Sequence, residues 1–197
     1  MEEIVMIAKD DRIKRITITA VIGAISFLLM LISFPIIPYM TYLKLDFSDI
    51  PLLICLLLLG PTAAIEATVL KLFIYWMVMG FSPIELVGLS SSFLASLTMI
   101  LVFYFLRRYL FRSHIIDFLI VLVETVALTI IESLANLFIT TPLYVKLTNL
   151  KLDFPLAKTI LFGVVPFNLI KGIIIGLIFV IIAKQMQKWI KKRSSWK

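Results

Sequence analysis

Residues 158–184 read KTILFGVVPFNLIKGIIIGLIFVIIAK. The stretch is longer than the ~20 apolar residues a helix needs to cross a hydrocarbon core. Between Lys158 and Lys184 the one charged residue is Lys171. Lipid accepts such a segment as a helix, because each backbone N–H and C=O must find its partner within the segment. The pattern predicts a spanning helix over about 158–190, with Pro166 at its start. Asn168 and Lys171 are three apart and share one face of it.

Composition extends this reading to the whole chain. Of 197 residues, 61% are apolar and 16% charged, and the mean hydropathy is +1.09. Soluble domains run nearer 45–50% apolar. Lipid must therefore be the solvent for most of the surface. Residues 1–197 have the size of a single integral membrane domain, an all-α bundle.

Six helices are expected, over about 14–34, 50–59, 62–79, 88–110, 114–139 and 158–190. Pro35 and Pro38 stop the first. It follows Lys9, Arg12, Lys14 and Arg15, as a signal peptide would, but lacks a small-residue cleavage site and reads as a retained helix. The loop over 35–49 has extended character. Ser48 or Asp49 can cap the second helix, which ends at Gly60-Pro61 and is too short to span alone.

The net charge is +7 and the pI about 9.6. Thirteen basic residues fall on the side of the two termini: Lys9, Arg12, Lys14, Arg15, Arg107, Arg108, Arg112, Lys184, Lys188, Lys191, Lys192, Arg193 and Lys197. Four fall on the other: Lys44, Lys146, Lys151 and Lys158. Basic residues collect in cytoplasmic loops, so both termini are expected in the cytoplasm and the 35–49 loop outside. The charges sit at helix ends and form no basic face, which argues against a nucleic-acid partner. Cys55 is the one cysteine and His114 the one histidine, and His114 reads as interfacial. No HExxH, GxSxG, GxxxxGK[ST] or GxGxxG motif occurs, so no metal, catalytic or nucleotide site is expected.

Ionisable side chains inside a membrane cost about 2.5–3.5 kcal/mol each on insertion scales. Here they are Glu66, Lys71, Glu124, Glu132 and Lys171. Glu66 can reach headgroups. Lys71 can neutralise Glu124 or Glu132 across the bundle. Topology brings Asn136, Asn168 and Lys171 together near the outer surface, beneath the 35–49 loop. A polar cluster there suits a small solute taken from outside, or glues two helices together. Aromatic residues crowd the same end: Tyr39, Tyr42, Phe47, Tyr75, Trp76, Phe138, Tyr144 and Phe167. Small residues at Ala20 and Ala24, and at Gly172 and Gly176, allow close helix approach.

Several of these segments resemble one family. Tyr42-Leu43-Lys44-Leu45-Asp46-Phe47-Ser48-Asp49-Ile50-Pro51 resembles the first-loop signature of riboflavin-specific substrate-binding components of energy-coupling-factor (ECF) transporters. Leu59-Gly60-Pro61, then Asn136 with Pro142-Leu143-Tyr144, follow in the family's order. Val165-Pro166-Phe167-Asn168-Leu169-Ile170-Lys171-Gly172 resembles its most distinctive motif. The resemblance covers roughly 12–190. It implies the six-helix S-component fold, without enzymatic activity and without a cofactor, with riboflavin as transported ligand. It implies ligand contacts from Asn136, Asn168 and Lys171 and from the backbone of Leu43, Lys44, Leu45 and Asp46. An Asn amide offers both a donor and an acceptor, as the imide edge of an isoalloxazine ring requires. Lys171 would donate to ring carbonyls or to the ribityl chain.

The Ala20–Ala24 pair matches the family's Ala-x-x-x-Ala motif, which docks a transmembrane coupling protein; two cytoplasmic ATPases complete the importer in a prokaryotic plasma membrane. The chain departs from the family pattern at Leu72 and over Ser91-Ser92-Phe93-Leu94-Ala95-Ser96, where the family often has Asn and Ala-Asn-Phe-Leu-Ala-Gly. Two other readings stay open. One is the same scaffold serving another flavin or vitamin. The other is an autonomous proton-coupled transporter with Glu124, Glu132 and Lys71 as its relay.

Overall fold

The structure, a computed structural model, describes residues 2–38, 40, 42–148 and 155–187, with side chains from residue 12 onward. Lys9, Tyr39, Lys151, Lys188, Lys191, Lys192, Arg193 and Lys197, which the sequence reading used, lie outside the described side chains.

Helix α1 (Glu2–Leu31) leads into a two-residue strand β1 (Phe34–Pro35), which pairs antiparallel with β2 (Lys44–Leu45). This short hairpin is the extended loop of the sequence reading. Helix α2 (Asp49–Leu59) and helix α3 (Pro61–Val78) meet at Gly60, whose φ of 96° needs glycine. Pro61 then opens α3, where a missing N–H costs nothing. Helix α4 (Pro83–Leu106) ends in a tight 3-10 turn. Helix α5 (His114–Ala135) runs through a wide π-type turn, Asn136–Thr140, into α6 (Thr141–Thr148). Helix α7 (Leu156–Thr159) runs through a second such turn, Ile160–Val164, into α8 (Val165–Gln185).

The described residues thus form six helical segments. Five are long and apolar enough to cross a membrane, and the sixth is α2. Helix α2 is short because protein surrounds it: α1, α3, α4 and α8 all pack on it. Leu52, Leu53, Cys55 and Leu56 on it are fully buried. The outer faces of the spanning helices show the opposite pattern. Ile115, Phe138 and Phe105 are 73%, 71% and 68% exposed. Such surface is stable only against lipid.

Helix seams use small residues. Gly172 faces Thr125 and Gly176 faces Val121, so α8 lies close along α5. A Cβ at Gly176 would stand 2.8 Å from Val121 Cγ1. Gly23 similarly admits Leu70 against α1.

Four boundaries differ from expectation, the first at α1, which already runs from Glu2 and not from about 14. Helix α4 begins at Pro83, not near 88, because Ser82 accepts a hydrogen bond from Ile84 N (3.3 Å) and caps it. The α5 segment continues to Thr148 rather than stopping near 139. Pro142 does not end it, since the wide turn just before has already shifted the hydrogen-bond ladder: Thr141 N–H donates to Asn136 O, five residues back. Pro166 likewise does not start the last helix, which is already running at Leu156; it follows the second wide turn.

Candidate ligand-binding site

The two wide turns and the hairpin meet at one end of the bundle. The hairpin and the first wide turn, with α4 and α8, line a cavity of about 190 Å³ there. The hairpin contributes Leu43, Lys44 and Asp46, α5 and its wide turn Glu132, Asn136 and Thr140, and α8 Phe167, Asn168 and Lys171. Helix α4 contributes Glu85, Gly88, Ser91 and Ser92. The structure therefore brings Asn136, Asn168 and Lys171 to one cavity with three of the four loop residues singled out above. Leu45 is the exception. Its neighbour Lys44 is exposed, while Leu45 turns inward and is 2% exposed in the core. Alternation along a strand puts successive side chains on opposite faces.

Each polar side chain has a traceable setting. Asn168 donates one amide hydrogen to Val164 O at 2.9 Å, in the wide turn, which leaves its Oδ1 and its second N–H for the cavity. Asn136 is more committed. Its Nδ2 donates to Glu132 O (2.9 Å) and to Glu132 Oε2 (3.4 Å), and its Oδ1 accepts from Thr141 Oγ1 (3.3 Å). Ser91 Oγ donates to Glu132 Oε2 at 2.6 Å.

Lys171 lies 3.2 Å from Asp49 Oδ2. Asp49 is the hub of a buried network. Its Oδ1 lies 3.2 Å from Lys71 Nζ and accepts from Ser96 Oγ at 2.5 Å. Lys71 Nζ also donates to Ser48 Oγ (3.0 Å) and Ser96 Oγ (3.3 Å). Lys71 is fully buried and Asp49 is 1% exposed. Charges so placed lose several kcal/mol of hydration each, and only close pairing with satisfied hydrogen bonds offsets this. The network corrects two expectations. Lys71 pairs with Asp49 and not with Glu124 or Glu132. Neither Ser48 nor Asp49 caps α2 with its side chain, because both serve the lysines. Asp46 Oδ1 instead accepts from Ser48 N at 2.8 Å, closing the turn into α2.

Glu124 is fully buried beside the α5–α8 seam, with Oε2 near Gly176, and it does not line the cavity. Glu66 is exposed at a helix surface.

The hairpin is held down by packing. Met40 Sδ fills the space where a Cβ on Gly163 would stand, so only glycine in that turn admits it. Tyr144 OH similarly occupies the space beside Gly88, and the Tyr42 and Tyr144 rings lie 5.3 Å apart. Burial pushes the Tyr42 phenol up from its ordinary pKa, so it stays neutral. Aromatic rings and a few convergent polar groups make a small-ligand site.

Sequence reasoning missed Asp49 as more than a cap, and missed Glu85, Ser91 and Ser92 as cavity residues. An acidic residue heading an apolar helix, with two intramembrane lysines elsewhere, was the available signal for Asp49. Among the described residues no cluster of His, Cys, Asp and Glu suits a metal. Ala20 and Ala24 are both exposed on α1, away from the cavity.

The chain is similar to known proteins over almost all its length. Residues 14–183 match the family model described as ECF transporter, substrate-specific component. It is 31% identical to riboflavin transporter FmnP of Bacillus subtilis (strain 168), over 93% of this chain and 97% of the relative. It is 33% identical to riboflavin transporter RibU of Staphylococcus aureus (strain TCH60), over 91% and 93%. A solved structure of the S component of a bacterial ECF transporter superposes with a TM-score of 0.74 at 31% identity, over 91% of this chain and 99% of that one. The chain thus belongs to the substrate-specific components of ECF transporters, a transporter family and not an enzyme family.

Proposed function

We propose that this chain is the riboflavin-binding subunit of an ECF importer. It captures riboflavin under the hairpin at the outer face of a prokaryotic plasma membrane, with both termini in the cytoplasm. A transmembrane coupling protein and two cytoplasmic ATPases drive release inward. One observation carries this reading. The cavity places the open amide edge of Asn168 beside Lys171 and among Phe167, Tyr42 and Tyr144, in a chain alike to two named riboflavin transporters. Asn168 can donate its free N–H to a carbonyl of a flavin imide edge. The aromatic and apolar walls suit the flat ring.

Exposed Ala20 and Ala24 give α1 a smooth face on which a partner helix can lie close, which supports the docking role. A proton relay through Lys71 has less support, because Asp49 holds Lys71 from below the hairpin.

The test is uptake by proteoliposomes. The chain alone should bind riboflavin without accumulating it. Accumulation should require the coupling protein, both ATPases and ATP. Uptake by the chain alone, driven by a proton gradient, would overturn the division of labour.

A further inference from the structure

Glu132 is unused by the reading above. It sits on α5 one turn before Asn136, lines the cavity, and is 3% exposed. Its two oxygens differ. Oε2 accepts from Ser91 Oγ and Asn136 Nδ2. Oε1 is buried and has no hydrogen-bond partner among the described residues. A buried carboxylate oxygen without a donor is unfavourable. The neighbouring Asn136 amide is already spent: its N–H groups go to Glu132 O and Oε2, and its oxygen accepts from Thr141. Bracing Ser91 and Asn136 needs Oε2 alone. What remains is an unpartnered acceptor on a residue that lines the cavity.

We propose that Glu132 is a specificity-determining residue that accepts a hydrogen bond through Oε1 from a donor on the bound flavin. The inference rests on the riboflavin reading above. A flavin carries two kinds of donor that fit: the ribityl hydroxyls and the ring N3–H. Either makes the site selective for ligands that bring a proton to this wall. A site built around such a bond discriminates strongly against analogues that lack the donor.

The experiment titrates wild type, Glu132→Ala and Glu132→Gln with riboflavin, lumiflavin (no ribityl chain) and 3-methylriboflavin (no N3–H). Flavin fluorescence quenching in detergent gives each Kd. Glu132→Ala should weaken riboflavin binding about tenfold or more, as for a hydrogen bond to a charged group. Glu132→Gln keeps the shape and a neutral acceptor, and should fall between. The loss should vanish for one analogue: for lumiflavin if a hydroxyl is the donor, for 3-methylriboflavin if N3–H is. Should Glu132→Ala not fold, Glu132→Gln carries the same comparison. Unchanged riboflavin affinity, or an equal loss on all three ligands, overturns the inference while wild-type binding keeps the riboflavin reading. No riboflavin binding by wild type overturns both.

Discussion

Asp49 holds two lysines at once: Oδ2 lies 3.2 Å from Lys171 Nζ and Oδ1 lies 3.2 Å from Lys71 Nζ. The carboxylate thereby ties the start of α2 to α3 and to the cavity wall on α8. Removing its charge leaves two buried ammonium groups facing each other. Breaking a buried pair costs about 3–5 kcal/mol. Asp49→Asn should lower the thermal midpoint by roughly 10 °C and weaken ligand binding, because Lys171 loses its anchor. Lys71→Met should hurt less, since Lys171 and Asp49 still pair. Thermal unfolding in detergent alongside ligand titration checks both. Equal effects of the two substitutions would contradict the hub.

Gly163 sets how the hairpin sits. Met40 fills the space a side chain there would take. Gly163→Ala should push Met40 out, loosen the cover of the cavity and raise the ligand off-rate several-fold. Adding Met40→Ala should bring the off-rate back towards that of Met40→Ala alone. Stopped-flow dissociation measures this, and additive effects would argue against the contact.

The α5–α8 seam tolerates little bulk. A Cβ on Gly172 would stand 2.7 Å from Thr125 Oγ1 and 2.9 Å from Thr125 Cα. Gly172→Val should separate the helices that carry Asn136 and Lys171. We expect a loss of about 1–3 kcal/mol, the usual cost of overpacking, and weaker binding. Hydrogen exchange along α5 and α8 would show where the seam opens.

Ala20 and Ala24 should behave differently. Both are exposed and distant from the cavity. Ala20→Leu with Ala24→Leu should leave ligand affinity unchanged and abolish transport with the partner subunits. Co-purification with the coupling protein measures the docking directly, and retained assembly would move the docking face elsewhere.

The fold was legible because lipid simplifies the code. Long apolar runs, positive flanks and prolines near helix ends mark spans without tertiary knowledge. Asn168 and Lys171 could be placed on one face by spacing alone. Asp49 could not, because its partners lie on α3 and α8 and only the folded bundle joins them. The continuation of α5 past Pro142 was hidden for a related reason. A wide turn at Asn136–Thr140 has no composition of its own, yet it lets the helix carry a proline. Leu45 and Lys44 show the limit in the loop: neighbours in sequence, they face opposite ways across a two-residue strand.

The most direct measurement is riboflavin titration of the detergent-purified protein, after recording its visible absorption and fluorescence spectra. Wild type should carry flavin or quench it saturably, and Asn168→Ala and Lys171→Ala should each bind at least tenfold more weakly. A protein without flavin, and without any response to added riboflavin, would contradict the riboflavin-binding role.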